Sequence, residues 1–401
     1  MERVLIIEPH MSGHHGVWLG WLVPGLLEHG YHILIATLEY SLKHPVMQKL
    51  ICKYGDIVKT IVLSDMEKCR QRGNVFSLVK REFCYRHLFQ RFYCESIKRG
   101  SVDVVLVPYL DYCAYATGLL GSPFGGTPWL GLVMRPAFHY RAMGITAPHR
   151  GLDIIKRQLF FRLLSNKTLK KCFTIDETLI DFVEKKDQPN SCRLLYLPDP
   201  IKFNGTGSRE EARRLFGIPQ DASVILVYGA LTLRKGIEAL LKAVCEPEIP
   251  GMIHVMLAGK QDEEVKNLLR SAEAKRLLSK GRLHQIDMHI DSEKEYAVYR
   301  AADIVWVGYR GHYQMSGILV QAGMMALPVI ACNEGVIGWL TKKHGTGLIV
   351  SISDAKEVAR AIRHLEKLPE IRKEYGLQGQ RAFSKNTVNY ALDRILYGLS
   401  I

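Results

Sequence analysis

The sequence lacks the long apolar run that a membrane-spanning helix needs. No stretch approaches the roughly 18 consecutive apolar residues that cross a bilayer, and the first apolar stretch, Val4 to Ile7, ends directly at Glu8. This stretch is too short for the core of a signal peptide, so it predicts a first buried strand instead. Hydrophobic residues make up 47% of the 401 residues and charged residues 23%. We therefore expect a soluble globular protein of two domains.

The sequence also lacks paired cysteines and the common dinucleotide fingerprint. Its nine cysteines are scattered and form no Cys-x-x-Cys pair, which disfavours a zinc site or a disulfide framework. An odd cysteine count with several members inside apolar segments is typical of the reducing cytosol, so we expect a cytoplasmic protein. The first Gly-rich loop lacks the Gly-x-Gly-x-x-Gly spacing, which disfavours a nicotinamide dehydrogenase.

Basic residues are in clear excess. The chain has 54 Lys and Arg against 40 Asp and Glu, a formal net charge of +14. Such an excess predicts an anionic partner, which could be a phosphate group, an acidic membrane surface or nucleic acid. No helix-turn-helix, zinc or RNP-like motif is present, so we expect no nucleic-acid partner.

Short apolar strands alternate with helical segments throughout the chain. In the first half the predicted strands are Val4–Glu8, His32–Thr37, Thr60–Ser64, Val102–Pro108, Pro128–Met134, Phe173–Ile175 and Arg193–Leu197. In the second half they are Ser223–Ala230, Ile253–Ala258, Leu283–Ile286, Asp303–Gly308, Pro328–Cys332 and Gly347–Val350. Most do not alternate with polar residues, which indicates strands buried on both faces of a parallel sheet. The pattern predicts two doubly wound α/β domains facing a cleft, hinged near residues 198–208.

Two loops follow predicted strands and could hold phosphate. The first, with Gly13, His14 and Gly16, lies between the first strand and the first helix. The second carries Arg234 and Lys235 after a strand that ends at Gly229, just before a helix that begins at Ile237. Glycines allow close backbone approach, and a helix N-terminus favours negative charge. For the first loop, a tight turn with surface histidines stays open as the alternative. For the second loop, the alternative is a solvated basic turn. An exposed Lys235 would contribute little to stability.

Two more segments complete the pattern. The first, Tyr299–Tyr309, contains the predicted strand Asp303–Gly308. The second, Ser316–Ile330, opens a helix with small residues and leads into a strand begun by Pro328. With Gly229, Lys235-Gly236 and Leu257–Lys260, the order resembles glycosyltransferase family 4 and its retaining GT-B relatives. The match covers most of residues 220–352; the first half matches more loosely.

The resemblance implies a fold, a reaction and a set of residues. It implies the GT-B fold, with an acceptor-binding domain at 1–200, a nucleotide-sugar domain at 209–385, and a last helix at 386–401 that crosses back to the first domain. It implies sugar transfer from a nucleotide diphosphate sugar to a glycan, lipid-linked or small-molecule acceptor, with retention of anomeric configuration. The implied donor-binding residues are Gly13, His14, Gly16, Gly229, Gly259, Lys260, Tyr309, Ser316, Gly317 and Gln321; the implied catalytic residues are Lys235, Arg234 and His139.

The sequence departs from the family pattern in three features. Ala230 stands where the family has an arginine, so Arg234 is expected to replace it. Tyr313 and Gln321 stand where the family has two glutamates, and only Gln321 can still hydrogen-bond a ribose hydroxyl. Met134-Arg135 stands where a histidine closes the strand, with His139 a little further on. These departures bear on sugar specificity and activity, so a catalytically impaired nucleotide-sugar-binding protein stays open, as does a sugar-nucleotide epimerase of GT-B fold.

The charges indicate how the leaving group would be stabilised. Lys235, Arg234 and the backbone amides near Gly13 and Ser316 would stabilise the leaving diphosphate. No Asp-x-Asp occurs in the sequence, so we expect neither a metal nor any other cofactor. Two basic stretches, Lys80–Arg99 and Ile154–Lys171, carry cations among apolar residues and predict either contact with an anionic membrane surface or ordinary packed helices with a solvated face.

Overall fold

The computed structural model of the chain describes residues 2–11, 13–64, 75–148, 151–185 and 190–400, apart from the side chains of residues 14, 75 and 76. The chain divides into two compact units. The first comprises Met1–Met143, His149–Pro198 and Val388–Ile401, and the second comprises Gly144–Pro148 and Asp199–Thr387. Each unit is built around one parallel sheet.

The first unit has a seven-stranded sheet in the order β3-β2-β1-β4-β5-β6-β7. Its strands are β1 Arg3–Ile7, β2 His32–Leu38, β3 Lys59–Leu63, β4 Val104–Val107, β5 Trp129–Val133, β6 Leu169–Thr174 and β7 Leu194–Tyr196. All neighbours are parallel; Val4, for example, pairs with Ile33 on one side and Val104 on the other. The central strands β1, β4 and β5 are buried almost throughout because helices cover both faces of the sheet.

The second unit has a six-stranded parallel sheet in the order β10-β9-β8-β11-β12-β13. Its strands are β8 Ser223–Tyr228, β9 Ile253–Ala258, β10 Leu283–Ile286, β11 Ile304–Val307, β12 Val329–Cys332 and β13 Gly347–Val350. Every residue of β8, β9, β11 and β12 is buried. The order reverses between β8 and β11, so this sheet is doubly wound and has its switch point there.

Helices connect the strands in both units. In the first they are α1 His14–Glu28, α2 Pro45–Tyr54, α3 Val75–Ile97, α4 Ala114–Leu120, α5 Asp153–Leu164, α6 Glu177–Lys185 and, at the end of the chain, α16 Val388–Ser400. In the second they are α7 Arg209–Leu215, α8 Ile237–Val244, α9 Glu263–Leu268, α10 Ala272–Ser279, α11 Ser292–Ala301, α12 Gly317–Met324, α13 Gly335–His344, α14 Ala355–Lys367 and α15 Pro369–Phe383. Within the first unit, α16 packs on α1 and β6.

The helix starts of the second unit are set by local chemistry. Ser208 and Glu211 form a capping box at the start of α7, each side chain bonding the other's backbone amide. Asp262 and Asp291 accept hydrogen bonds from first-turn amides of α9 and α11. The starts of α8 and α12 have no such side-chain cap. Their first amides are therefore available to a ligand, and the starts of α13 and α15 likewise lack a side-chain cap.

The strand predictions are confirmed, with ends that differ by a few residues. The sequence signal is strong because buried parallel strands are nearly continuous Val, Ile and Leu runs. The prediction for Ile154–Lys171 needs a correction: α5 ends at Leu164, and Lys170 and Lys171 lie on β6. Their amines bond the carbonyl oxygens of Leu399 and Cys192, so they do not extend the basic helix. In the described part of the chain, no helix is both long and apolar enough to cross a membrane.

Candidate functional site

The switch point of the second sheet holds most of the predicted site residues. Gly229 follows β8 and Gly308 follows β11, and the two strands are neighbours. Open α/β sheets bind ligands at the carboxyl ends of such a strand pair. After Gly229 the chain makes a 3₁₀ turn, Leu233–Lys235, and enters α8.

Glycines hold this loop tightly against the neighbouring strand ends. Gly236 has φ of 65°, and a methyl carbon added to it would lie 2.0 Å from the carbonyl oxygen of Gly308. A methyl carbon on Gly259, after β9, would lie 1.9 Å from the carbonyl oxygen of Gly229. No larger residue fits at either point. The indole nitrogen of Trp306 donates to the backbone carbonyl of Lys235 at 2.8 Å and holds the turn against β11.

Lys235 lies inside this arrangement. Its side chain is 6% exposed. Its Nζ donates to the carbonyl oxygen of Tyr228 at 2.7 Å and to the hydroxyl of Tyr309 at 2.8 Å. Ser316, which precedes α12, donates from Oγ to the same Tyr309 hydroxyl at 3.2 Å. The fold thus brings together Gly229, Lys235, Tyr309 and Ser316, which lie far apart in the sequence.

The burial of Lys235 corrects the expectation of an exposed lysine. Both of its partners are uncharged, and among the described residues no carboxylate lies within ion-pair distance of Nζ. An ammonium has three donors, and two are used here. A buried cation without a counter-ion is costly. The site is therefore electrostatically prepared for an anion.

Arg234, next to Lys235, is exposed. The structure shows no hydrogen bond or ion pair for its guanidinium among the residues it describes. Its backbone carbonyl accepts from the amide of Arg310 at 2.8 Å, which ties the turn to the segment after β11. Arg310 itself lies 3.5 Å from Glu238. Arg234 is thus the cation of this loop whose side chain is free to move toward a ligand.

Gln321 belongs to a buried hydrogen-bond network beside the site. Its Oε1 accepts from the hydroxyl of Tyr299 at 2.9 Å, and its Nε2 donates to Glu295 at 2.6 Å. Tyr228 also donates to Glu295, at 2.7 Å. Burial, followed by the nearby Glu295 charge, raises the pKa of the Tyr228 hydroxyl above its usual range. Both polar atoms of Gln321 are therefore engaged, and a ribose contact would have to replace one of these bonds.

Glu295 is a site residue that the sequence did not reveal. It lies on α11, among charged residues that look solvated in the sequence. Only the packing of α11 beside the sheet places its carboxylate between Tyr228 and Gln321. No local pattern in the sequence could have shown this.

Gly259, Lys260 and Gly317 complete the predicted donor set in this unit. Lys260 is mostly exposed and lies 3.4 Å from Asp287. The amide of Gln261 donates to Asp287 at 2.9 Å, and this bond, together with Lys260, lowers the pKa of the Asp287 carboxyl. Gly317 is the first residue of α12, so its amide is among the uncapped ones.

The predicted loop of the first unit follows β1, which neighbours β4 at the switch point of that sheet. Gly13 has φ of 65° and precedes α1 without providing a side-chain cap. A methyl carbon on Gly16 would lie 2.8 Å from the carbonyl oxygen of Met11, so this turn too is packed closely. Ser12 and the side chain of His14 lie outside the described residues.

A buried carboxylate, Glu8, lies between β1 and this loop in the sequence. Glu8 is 1% exposed, and its Oε2 lies 3.0 Å from Nδ1 of His15. Burial raises the pKa of Glu8, and the His15 contact opposes this rise. The Nε2 of His15 lies 3.2 Å from the hydroxyl of Tyr112. In the sequence, Glu8 was predicted only as the last residue of a strand, and its contact with His15 was not predicted.

The structure does not support a catalytic role for His139. This side chain is fully buried, and its Nε2 lies 2.8 Å from the hydroxyl of Thr178 and 3.4 Å from Asp176. Phe138 and Phe182 pack around the ring. A substrate cannot reach a group enclosed in this way. The prediction relied only on how few residues separate His139 from the end of the preceding strand. The structure buries the side chain at this point.

Comparison with known proteins shows which family and which folds the chain resembles. Residues 208–382 match the family model described as Glycosyl transferases group 1. This match lies within the second half of the chain and covers less than half of the whole chain. Lipopolysaccharide core biosynthesis glycosyltransferase LpsE of Rhizobium meliloti is 29% identical over 164 residues, which are 41% of this chain and 45% of that protein. The chain therefore spans less than half the length of this relative.

Solved structures resemble the chain over its whole length. The Anabaena protein HepE in complex with UDP has a TM-score of 0.66 at 13% identity, with both chains fully covered. Sucrose-phosphate synthase from Thermosynechococcus elongatus has a TM-score of 0.65 at 18% identity, covering 99% of this chain and 98% of that one. At such identities the likeness concerns the fold. The two Rossmann-like units and these neighbours establish the GT-B fold for the chain, as predicted.

Proposed function

We propose that this protein is a glycosyltransferase that transfers a sugar from a nucleotide diphosphate sugar to an acceptor hydroxyl. One observation carries the proposal: the buried ammonium of Lys235 has only neutral partners, at the carboxyl end of β8. A donor diphosphate supplies the missing negative charge. The group 1 domain match and the UDP bound to the structural neighbour HepE support the same ligand.

The proposed chemistry follows from where charge develops. The bond between the anomeric carbon and the β-phosphate oxygen breaks, the acceptor oxygen forms the new bond, and its proton passes to the leaving phosphate. The negative charge on that phosphate is stabilised by the third donor of Lys235, by Arg234 and by the first amides of α12 after Ser316. We propose retention of anomeric configuration for this reaction, with Lys235 as its main source of positive charge.

We further propose that no divalent metal takes part in holding the diphosphate. The sequence contains no Asp-x-Asp, and the cations of the loop after β8 can neutralise the phosphates directly. The measurement is transfer in the presence of EDTA. Activity that disappears with EDTA and returns with Mg²⁺ or Mn²⁺ would contradict this part of the proposal.

The acceptor side of the proposal concerns the first unit. Large apolar side chains are exposed on three helices of this unit: Leu78 and Val79 on α3, Leu120 on α4, and Ile154 and Ile155 on α5. Helix α4 packs against both α3 and α5, so these side chains belong to one group of adjacent helices.

Exposed cations accompany these apolar residues, including Lys80 and Arg157. Aliphatic side chains among cations are what an anionic bilayer surface binds. We therefore propose peripheral binding to anionic membranes and a lipid-linked acceptor.

The experiment that tests the function uses the purified chain and a panel of nucleotide diphosphate sugars. Thermal shift identifies the nucleotide, and the products with a radiolabelled donor are then separated. Transfer of label to an acceptor, or slow release of free sugar with its nucleotide diphosphate, supports a transferase. Conversion of the donor into an epimeric nucleotide sugar would show an epimerase instead. Binding with neither transfer nor hydrolysis would show a binding protein.

A further inference from the structure

The second unit contains a cleft at the amino ends of its strands. Its volume is about 370 Å³, and its lining includes Asp303, which precedes β11, and Pro328, which precedes β12. The cleft therefore lies at the amino ends of these strands, on the opposite edge of the sheet from Gly229 and Lys235. Four cationic side chains line it: Arg209, Arg300, Arg372 and Lys373.

The one carboxylate in the lining is already engaged. Asp303 pairs with Arg209 and, at 2.7 Å, with the buried Arg213, and it accepts from the amide of Val224 at 2.8 Å. Its charge is thus shared between two arginines, of which Arg213 lies outside the cleft lining. It cannot neutralise Arg300, Arg372 and Lys373 as well.

Some of these cations lack partners. The Nε atoms of Arg300 and Arg209 are buried and have no hydrogen-bond partner among the described residues. No hydrogen bond or ion pair is found for Lys373 in the same part of the chain, and Arg372 makes only a long bond, 3.4 Å, to Ser223. Buried donors without acceptors are rare and costly in folded proteins. The cleft lining thus carries four cations against one carboxylate, and an anion in the cleft would balance this excess of positive charge.

The start of helix α15 also lies at the cleft, with Glu370 in its first turn. The helix has 15 residues and begins at Pro369 on the cleft wall, and Leu368 before it provides no side-chain cap. Arg372 and Lys373 lie near the same end, where the helix dipole disfavours positive charge. This unfavourable placement becomes favourable once an anion occupies the cleft.

We propose that this cleft binds a small phosphorylated molecule, at a site separate from the donor site. Phosphate oxygens would accept from the guanidinium of Arg300 and the ammonium of Lys373. Met325 and Leu327 supply an apolar side that fits an organic group, and the volume lies in the usual range for ligand sites. The inference does not depend on the glycosyltransferase proposal, because it uses none of the residues at the carboxyl ends of the strands.

Calorimetry with the full chain tests this site. The probes are inorganic phosphate, pyrophosphate and glucose 6-phosphate, each titrated with and without saturating UDP to separate this site from the donor site. The site variant is Arg300→Gln with Lys373→Gln. The matched control is Arg270→Gln with Lys280→Gln, which removes two exposed cations elsewhere in the same unit. Unfolding midpoints are measured for wild type, site variant and control to establish that each protein is folded.

We expect at least one probe to bind in the presence of UDP, and the site variant to bind it about tenfold or more weakly than wild type and control. A phosphate-only response would identify the anion alone as sufficient; a stronger response to glucose 6-phosphate would show that the apolar side contributes. The proposal is overturned if no probe binds wild type, if UDP abolishes all binding, or if both variants weaken equally. If the wild-type protein binds a probe but does not bind UDP, the result counts against the proposed function and not against this site.

Discussion

At the scale of the residue, Lys235 is the buried cation of the candidate site. Its position in the sequence, two residues before α8, suggested an exposed lysine. The structure buries it because Trp306 and Tyr309, from the β11 side, close over the loop. Its partners are a carbonyl and a phenol, so the charge is stabilised by hydrogen bonds but not neutralised.

We expect Lys235→Met to slow transfer by about a hundredfold or more, as the loss of one preorganised donor does at other sites. We also expect the unfolding free energy to change by less than about 1 kcal/mol, because losing two hydrogen bonds is offset by removing an unpaired buried charge. The measurements are turnover and urea unfolding beside wild type.

Two further variants separate charge from packing at Lys235. Tyr309→Phe keeps the ammonium and removes one acceptor, so it should reduce turnover far less than Lys235→Met. Lys280→Met removes an exposed lysine of the same unit and should leave turnover unchanged. Equal losses in Tyr309→Phe and Lys235→Met would show that the geometry of the loop, and not the charge, is what matters.

A second prediction at this scale concerns Glu82 of α3. Burial raises the pKa of this carboxyl to about 7, although the amides of Tyr115 and Ala116 donate to it and Lys156 lies nearby; Asp111 raises it further. The folded pKa is above the unfolded one, so the folded state holds the extra proton. Stability is therefore highest below the unfolded pKa and falls as pH rises through about 7.

Glu82→Gln should remove this pH dependence, because the amide copies the neutral carboxyl and can still accept from the two backbone amides. The difference in unfolding free energy between variant and wild type should grow by on the order of 2–3 kcal/mol in favour of the variant between pH 5 and pH 8. Urea unfolding at a series of pH values measures it. Parallel pH profiles for the two proteins would show that Glu82 is already ionised in the folded state.

At the scale of the element, the strands were predictable and the loop contacts were not. All thirteen predicted strands have a counterpart in the described chain, because each is a short apolar run between turn signals. The partners of Gln321 and Lys235 could not be predicted, because Glu295, Tyr228 and Tyr309 reach them only through tertiary packing. The burial of His139, which the resemblance implied to be catalytic, could not be predicted either, because it depends on the packing of Phe138 and Phe182 around the ring.

The loop between β8 and α8 provides a prediction at this scale. Gly236 and Gly217 have nearly equal φ, 65° and 63°, so both disfavour a side chain to the same extent. A methyl carbon on Gly236 would lie 2.0 Å from Gly308 O, whereas one on Gly217 would meet nothing within 4 Å. Alanine at Gly217 therefore measures backbone strain alone, whereas alanine at Gly236 measures backbone strain and steric overlap together.

We expect Gly217→Ala to cost about 1 kcal/mol, the strain of the left-handed region alone. Gly236→Ala should cost at least about 2 kcal/mol more, because the backbone of the Gly308 segment must move, and it should also reduce turnover by displacing Lys235. Unfolding midpoints and activity measure both. Similar costs for the two variants would mean that the loop can move away from β11 without loss.

At the scale of the whole molecule, charge and exposed apolar surface are the features that the fold leaves unexplained. The net charge of +14 exceeds what one diphosphate needs. In the first unit, Ile154 and Ile155 are 64% and 52% exposed on α5, beside the cations Lys156 and Arg157. The sequence indicated a basic amphipathic segment here, but the helix is shorter than predicted and its exposed face is more apolar.

The last prediction therefore concerns membranes. We expect the protein to sediment with phosphatidylglycerol-containing vesicles and much less with phosphatidylcholine vesicles, with binding that weakens as salt is raised, because lipid charge and exposed cations attract each other. Ile154→Glu with Ile155→Glu should lower the partition coefficient by about tenfold or more, since two inserted side chains are lost and two repulsive charges added. The control, Leu278→Glu with Met288→Glu, makes the same change of charge and polarity at exposed positions of the second unit. If the control lowers binding as much as the α5 variant, net charge alone drives the association and α5 is not the contact. If neither vesicle type binds the wild-type protein, the exposed aliphatic residues of the first unit serve another partner and the proposed lipid-linked acceptor loses its support.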